Sequence, residues 1–227
     1  MAYKRIINDM LALGYGSKYQ LLRMLGWHRN DFNEKIRQIT GLVGDIRWLD
    51  FEYNGPCDKE LLNLDFISEL KDEWKAYWAC GNGGIHWDAV GVAEDGTYIL
   101  VEAKAHLAEM KSSVGGGKKA KENNDKRIAD FLQKYSIPST PDTWNQGYYQ
   151  LANRLVVTDF LISRGYKAKI LYVLFENGFE YNRDTSDSAT ADEWNAEMAN
   201  ELSAMGIHGS AAEQLLSWCI IDCNPKS

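Results

Sequence analysis

The sequence predicts one α/β domain with a helical N-terminal extension, on three observations. Two apolar runs, 87–92 and 100–105, flank Glu94-Asp95-Gly96, and Asp-Gly between apolar segments is a strong hairpin signal. The run Lys169 to Phe175 is apolar almost throughout, as in a strand buried on both faces. Apolar residues at helical spacing fill long stretches on either side, most clearly over 59–78 and 144–163.

In chain order, 3–14 reads as a helix ended near Gly14. A second helix covers 17–25, with Ser17 and Gln20 as a capping box and Gly26 at its end. A third covers 31–40, capped by Asn30 and closed by Gly41. The pair has the outline of a helix-turn-helix, but the second helix carries mixed charge and no basic face, which favours a packing hairpin over DNA contact. A strand over 46–53 and a turn at 54–56 end the extension, leaving 57–227 as the main domain. The helix over 59–78 lines up Leu61, Leu64, Leu70, Trp74 and Tyr77 on one face. After the hairpin come a short helix (125–135), a loop with two prolines (136–142) and the long helix of 144–163. A polar loop (182–190), a helix (192–205) and a closing strand (216–222) complete the chain.

Composition bounds the function. Hydrophobic residues make up 45% and aromatics 12%, ample for a packed core and inconsistent with disorder. No apolar stretch approaches the roughly 20 residues that span a bilayer, and the N-terminus has no signal-like apolar region. Cys57, Cys80, Cys219 and Cys223 have neither disulfide-framework nor zinc spacing, so free thiols and a reducing, cytoplasmic setting are expected. The net charge of −7 argues against a protein that coats DNA but not against one that handles phosphate through a metal and local basic groups. Lys111 to Arg127 holds six basic residues and two acids around Gly115-Gly116-Gly117 and reads as a basic loop beside the hairpin.

The hairpin carries the chemistry. With a side-chain period of two, Tyr98, Leu100, Glu102 and Lys104 point to one face of the second strand. Asp88 on the partner strand converges with them if it shares that face. Two carboxylates and a backbone carbonyl, that of Ala103, suit Mg²⁺, a hard cation that takes oxygen ligands and keeps several waters; Mn²⁺ substitutes readily. Lys104 then stands beside the attacking water or the phosphate. His86, two before Asp88, is a candidate phosphate donor or supporting residue, and Glu109 an acid able to reach a second ion; both also read as structural. Trp87 and Trp144 beside these segments are core residues or base-stacking platforms.

The run Gly81 to Val90 with Val101 to Glu109, and the later run Trp144 to Leu155, resemble the PD-(D/E)xK nuclease superfamily, over roughly Leu61 to Phe175. His86-Trp87 stands before Asp88 where the motif's name has a proline. The resemblance implies a restriction-endonuclease-like αβββαβ core with a mixed central sheet flanked by helices, a divalent-metal site and cleavage of nucleic acid, most often DNA. Asp88, Glu102 and Lys104 fall on the motif's acids and lysine. A further acid from the first core helix is expected, Glu69 or Glu73, with Glu73 the better placed. On the helix after the metal strands, Gln146, Gln150, Asn153 and Arg154 share about one face; Gln150 is expected to bond Lys104 or phosphate, and Arg154 to contact phosphate. Enzymes of this type often act as homodimers or in larger assemblies. The alternative is a catalytically silent protein that uses the same fold to bind nucleic acid or a partner.

Overall fold

The computed structural model describes residues 16–49, 61–78, 84–113, 115, 118–178 and 188–223. Helix α1 (Gly16–Trp27) and helix α2 (Arg29–Thr40) are joined through His28 and contact each other, and strand β1 (Ile46–Trp48) follows. A short strand β2 (Leu61–Leu62), a 3₁₀ turn and helix α3 (Lys71–Trp78) lead to strands β3 (His86–Trp87), β4 (Ala89–Ala93) and β5 (Tyr98–Lys104). Then come β6 (Ser112–Ser113), α4 (Lys118–Lys134), α5 (Pro141–Asn145), β7 (Gln146–Gly147), α6 (Tyr149–Ile162), β8 (Ala168–Glu176), α7 (Ala191–Ala204) and β9 (Leu216–Asp222).

The molecule is an α/β fold built on a mixed five-stranded sheet of order β1-β4-β5-β8-β9. The first three strands run antiparallel, and β8 and β9 join parallel after the helical crossovers of α6 and α7. The Asp95-Gly96 turn is as expected: Gly96 has φ +83°, a conformation glycine takes without steric cost, and Asp95 Oδ1 accepts the Thr97 N–H at 3.0 Å.

Alternation along the strands sorts the core into two layers. Ile99, Val101 and Ala103 of β5 pack with Leu21, Leu25, Phe32 and Ile36 of α1 and α2. Leu100 of β5 and Tyr172 and Leu174 of β8 pack on the other face with α4, α5, α6 and α7, through Phe131, Trp144, Leu155 and Trp194. The segment expected as an N-terminal extension thus supplies an edge strand and one whole covering layer of the sheet. Gly91 is needed where it stands, because a Cβ there would lie 2.9 Å from Ile46 and 3.2 Å from the Trp48 ring.

Several elements differ from the sequence expectation. Of the helix expected over 59–78, the described part is α-helical only from Lys71, after the 3₁₀ turn Ser68–Leu70. Asn63 has φ +53°, which no helix interior accommodates, and its Oδ1 accepts the Ile85 N–H at 3.1 Å, so Leu61–Leu62 pairs as a strand with His86–Trp87. The capping box at Ser17 does not form: Ser17 Oγ donates to Glu109 at 3.1 Å, and Gln20 accepts from Arg23 at 2.7 Å. Helix α2 begins one residue before the expected Asn30 cap, with His28 at the N-cap, but its left-handed Gly41 terminus is as expected. Much of the basic segment is helix, not loop, because Asn124, Arg127 and Ile128 are buried and hold α4 in place. The long helix starts at Tyr149, and Gln146–Gly147 instead pairs with Ser112–Ser113. The expected helix at 3–14, the strand residues 50–53, the turn at 54–56 and most of the polar loop at 182–190 lie outside the described residues.

Candidate active site

The site lies where β5 runs past the end of β4. Trp87 and Val90 pack in one core layer and Ala89 in the other, so strict alternation breaks at Asp88, where the strand bends. Asp88 donates its N–H to Val101 O at 3.2 Å, and its Oδ2 accepts the Ala103 N–H at 2.7 Å. That bond fastens the Asp88 carboxylate to the strand bearing Glu102. Within one residue of a strand, N–H and C=O point to the same side, so the Ala103 carbonyl also faces the Asp88 edge.

Glu102 and Lys104 share the face of β5 that looks onto α6, as the period-two pattern requires. Both are buried, at 3% and 4% exposure, so their charges must be compensated within the protein. Lys104 Nζ donates to Glu102 Oε1 at 2.7 Å and to Gln150 Oε1 at 3.0 Å. Arg154, one turn beyond Gln150 on α6, donates to Glu102 Oε2 from Nε (3.0 Å) and Nη2 (2.6 Å). The helix start is itself fixed, since the Gln150 N–H donates to Ser112 Oγ at 2.8 Å. Asp88, Glu102, Lys104, Ala103 and Gln150 are therefore brought together.

The electrostatics follow from burial and pairing. Burial and the neighbouring Glu102 charge push the Asp88 carboxyl up to about 7, against the Ala103 N–H and the two cations. Burial alone would raise Glu102, but Arg154 and Lys104 outweigh it and hold that carboxyl below the ordinary glutamate value. Burial alone would lower Lys104, but Glu102 and Asp88 hold it above the ordinary lysine value. Lys104 is thus a firmly protonated cation.

Other expected participants are placed elsewhere. Glu73 accepts from Arg164 Nε at 2.7 Å. Arg164 lies beyond the far end of α6 from Gln150, about 20 Å away at 1.5 Å per residue, so Glu73 does not join the site. Glu69 accepts from Ser68 Oγ at 3.3 Å and sits near Tyr98, at the opposite end of β5 from Lys104. Trp87 and Trp144 are fully buried, and their indole N–H groups donate to Asn63 O (2.6 Å) and Met205 O (2.9 Å), so neither offers a face to a base. Arg154 is buried against Glu102 rather than presented to phosphate. Gln146 is exposed on β7, off the helix, and Asn153 is buried in α6. His86 is exposed and contributes its carbonyl, which accepts from Arg154 Nη2 at 2.8 Å. Glu109 closes the turn after β5, accepting the Ala105 N–H at 2.9 Å beside His106. Among the described residues, no three His, Cys, Asp or Glu side chains form a metal-holding group.

Sequence reasoning missed Glu201. This α7 residue is 1% exposed, its Oε2 has no hydrogen-bond partner among the described residues, and burial pushes its carboxyl up to about 8. The charges of Lys111, Glu197, Lys104 and Glu102 act on it. Nothing in the sequence marks it, because an acid on an amphipathic helix ordinarily faces water. Tyr172, opposite Glu102 in the β5–β8 register, was likewise hidden within an apolar strand.

In comparisons with known proteins, no family model, curated protein or solved structure matches this chain.

Proposed function

We propose that the chain is a divalent-metal-dependent nuclease of the PD-(D/E)xK kind, hydrolysing phosphodiester bonds of nucleic acid, with DNA as the first substrate to test. The observation that carries this reading is the buried Lys104 ammonium bridging Glu102 and Gln150, beside an Asp88 carboxylate tied to the same strand. The order of the sheet and its packing helices supports it. Within the five-stranded sheet, antiparallel β1, β4 and β5 come before α6 and parallel β8, an order compatible with that core, with β2, α3 and β3 inserted between β1 and β4.

The donor set fits Mg²⁺ or Mn²⁺. It is all oxygen: the Asp88 and Glu102 carboxylates and the Ala103 carbonyl. Among the described residues no protein group bonds Asp88 Oδ1, which leaves that oxygen for a cation. A divalent cation held there would polarise the phosphate and lower the pKa of bound water. The protein's own part is positioning and charge. Lys104 uses two of its three N–H donors on Glu102 and Gln150 and keeps one for the attacking water or a phosphate oxygen. Gln150 accepts from Lys104 through Oε1, leaving its amide N–H₂ to donate to the same phosphate. Asp88 is oriented by the Ala103 N–H, and Glu102 by Arg154 and Lys104.

Supercoiled plasmid and end-labelled single strands, incubated with Mg²⁺ or Mn²⁺, test the reading. Nicked or shortened products that disappear on chelation are expected. Intact substrates under all conditions would overturn it. One observation favours a second reading, a silent nucleic-acid-binding protein: both Glu102 oxygens are already engaged by cations. Tight binding of labelled duplex without metal, and without turnover when metal is added, would favour that reading.

A further inference from the structure

Arg154 has an unusual setting for a cation beside a candidate metal ligand. The residue is 6% exposed and its guanidinium is held on three sides. Nε and Nη2 bond Glu102 Oε2, Nη2 also bonds His86 O, and the plane lies 4.8 Å from the centroid of the fully buried Trp87 ring. Trp87 is in turn pinned through its indole N–H to Asn63 O. Lys104 divides its bonds between Glu102 and Gln150, whereas Arg154 is held to Glu102, the His86 carbonyl and the Trp87 ring.

The charges then decide what the site accepts. Asp88 and Glu102 carry two negative charges when ionised, and Lys104 and Arg154 two positive ones, so these four groups balance before any ligand arrives, with Glu109 the next acid acting on Lys104. A divalent cation arriving alone gains less beside carboxylates already paired with Lys104 and Arg154 than it would beside two uncompensated ones. A phosphodiester backbone brings the missing negative charge. We propose that Arg154 is a positioning residue that couples the two ligands, so that the divalent cation loads together with a nucleic-acid phosphate rather than ahead of it. The inference rests on the nuclease reading and concerns the order of assembly at that site.

Mn²⁺ binding, followed by the electron paramagnetic signal of free Mn²⁺, tests it without reference to activity. The wild-type chain is titrated alone and with a short phosphorothioate-linked duplex, with duplex-only binding subtracted. Arg154→Met is titrated the same way, after circular dichroism establishes that it folds. The wild type should bind Mn²⁺ at least about tenfold tighter with the duplex, as expected when a balanced site gains negative charge. Arg154→Met should bind Mn²⁺ more tightly than wild type without duplex and gain much less from adding it. Equal wild-type affinity with and without duplex overturns the proposal, as does an Arg154→Met chain whose duplex-free affinity is unchanged or weaker. If that variant does not fold, the two wild-type titrations decide alone. Plasmid cleavage in parallel separates the two claims. Duplex-independent Mn²⁺ binding by a chain that cuts DNA overturns the coupling only; no cleavage and no Mn²⁺ binding overturns the nuclease reading and the coupling with it.

Discussion

Glu201→Gln isolates the cost of burying an acid at the edge of the site. The side chain is 1% exposed and its carboxyl is pushed up from 4.5 to about 8, chiefly by burial. Below about pH 4.5 the folded and unfolded chains both hold the proton, and the group has no effect on stability. Above that, the unfolded chain releases the proton while the fold retains it. Stability therefore falls with rising pH and levels off above about pH 8. Each pH unit costs about 1.4 kcal/mol, so the full penalty is roughly 5 kcal/mol, of which roughly 3–4 kcal/mol accrues between about pH 5 and about pH 8. For a chain of this size that is on the order of 10 °C in melting temperature. Glutamine keeps the shape and removes the ionisation. Thermal unfolding of both chains across this range should show the variant gaining on wild type as pH rises, by roughly 10 °C at the alkaline end. Asp88, also raised, contributes equally to both curves and cancels in the difference. Parallel curves would refute the argument, because they would mean that Glu201 ionises as readily folded as unfolded.

Three further outcomes follow from the packing. Trp87→Ala removes the fully buried platform under Arg154 and should cost about 3–5 kcal/mol, read as a lowered denaturation midpoint. Gly91→Ala places a methyl 2.9 Å from Ile46 and 3.2 Å from the Trp48 ring; it should cost about 1–3 kcal/mol and loosen edge strand β1, read by amide exchange at Ile46 and Trp48. Gly178→Ala would bring a Cβ within 2.5 Å of the Ala105 carbonyl, one residue past Lys104, so stability and any cleavage activity should fall together; an active, fully stable variant would contradict this.

The hairpin was legible because its signals are local. An Asp-Gly turn and period-two alternation fix the register, and the register alone puts Glu102 and Lys104 on one face. The i, i+4 spacing of Gln150 and Arg154 similarly carried both side chains to β5, and the apolar run of β8 and the Gly41 helix end were read from composition and one residue. What failed depended on tertiary competition. Leu61 and Leu64 have helical spacing, yet Asn63 turns the chain left-handed to meet Ile85, a partner 22 residues away. Lys111 to Arg127 looked like a basic loop because sequence cannot show that Arg127 is drawn inward to the carbonyls of Tyr77 and Trp78. Glu73 was chosen for proximity in sequence, whereas Arg164 claims it at the far end of α6. Arg154 was assigned to phosphate because an arginine beside a metal motif invites that reading. Its engagement with Glu102 appears only once β5 and α6 are packed together.

The central claim is chemical, and its most direct test is nicking of supercoiled plasmid with Mg²⁺ or Mn²⁺ by wild type, Asp88→Asn and Lys104→Ala, each first shown to be folded. Metal-dependent nicking by wild type and its loss in both variants are expected. Nicking that survives in either folded variant would contradict the assignment of this cluster as the catalytic centre, and its absence in wild type on every substrate would contradict the nuclease reading itself.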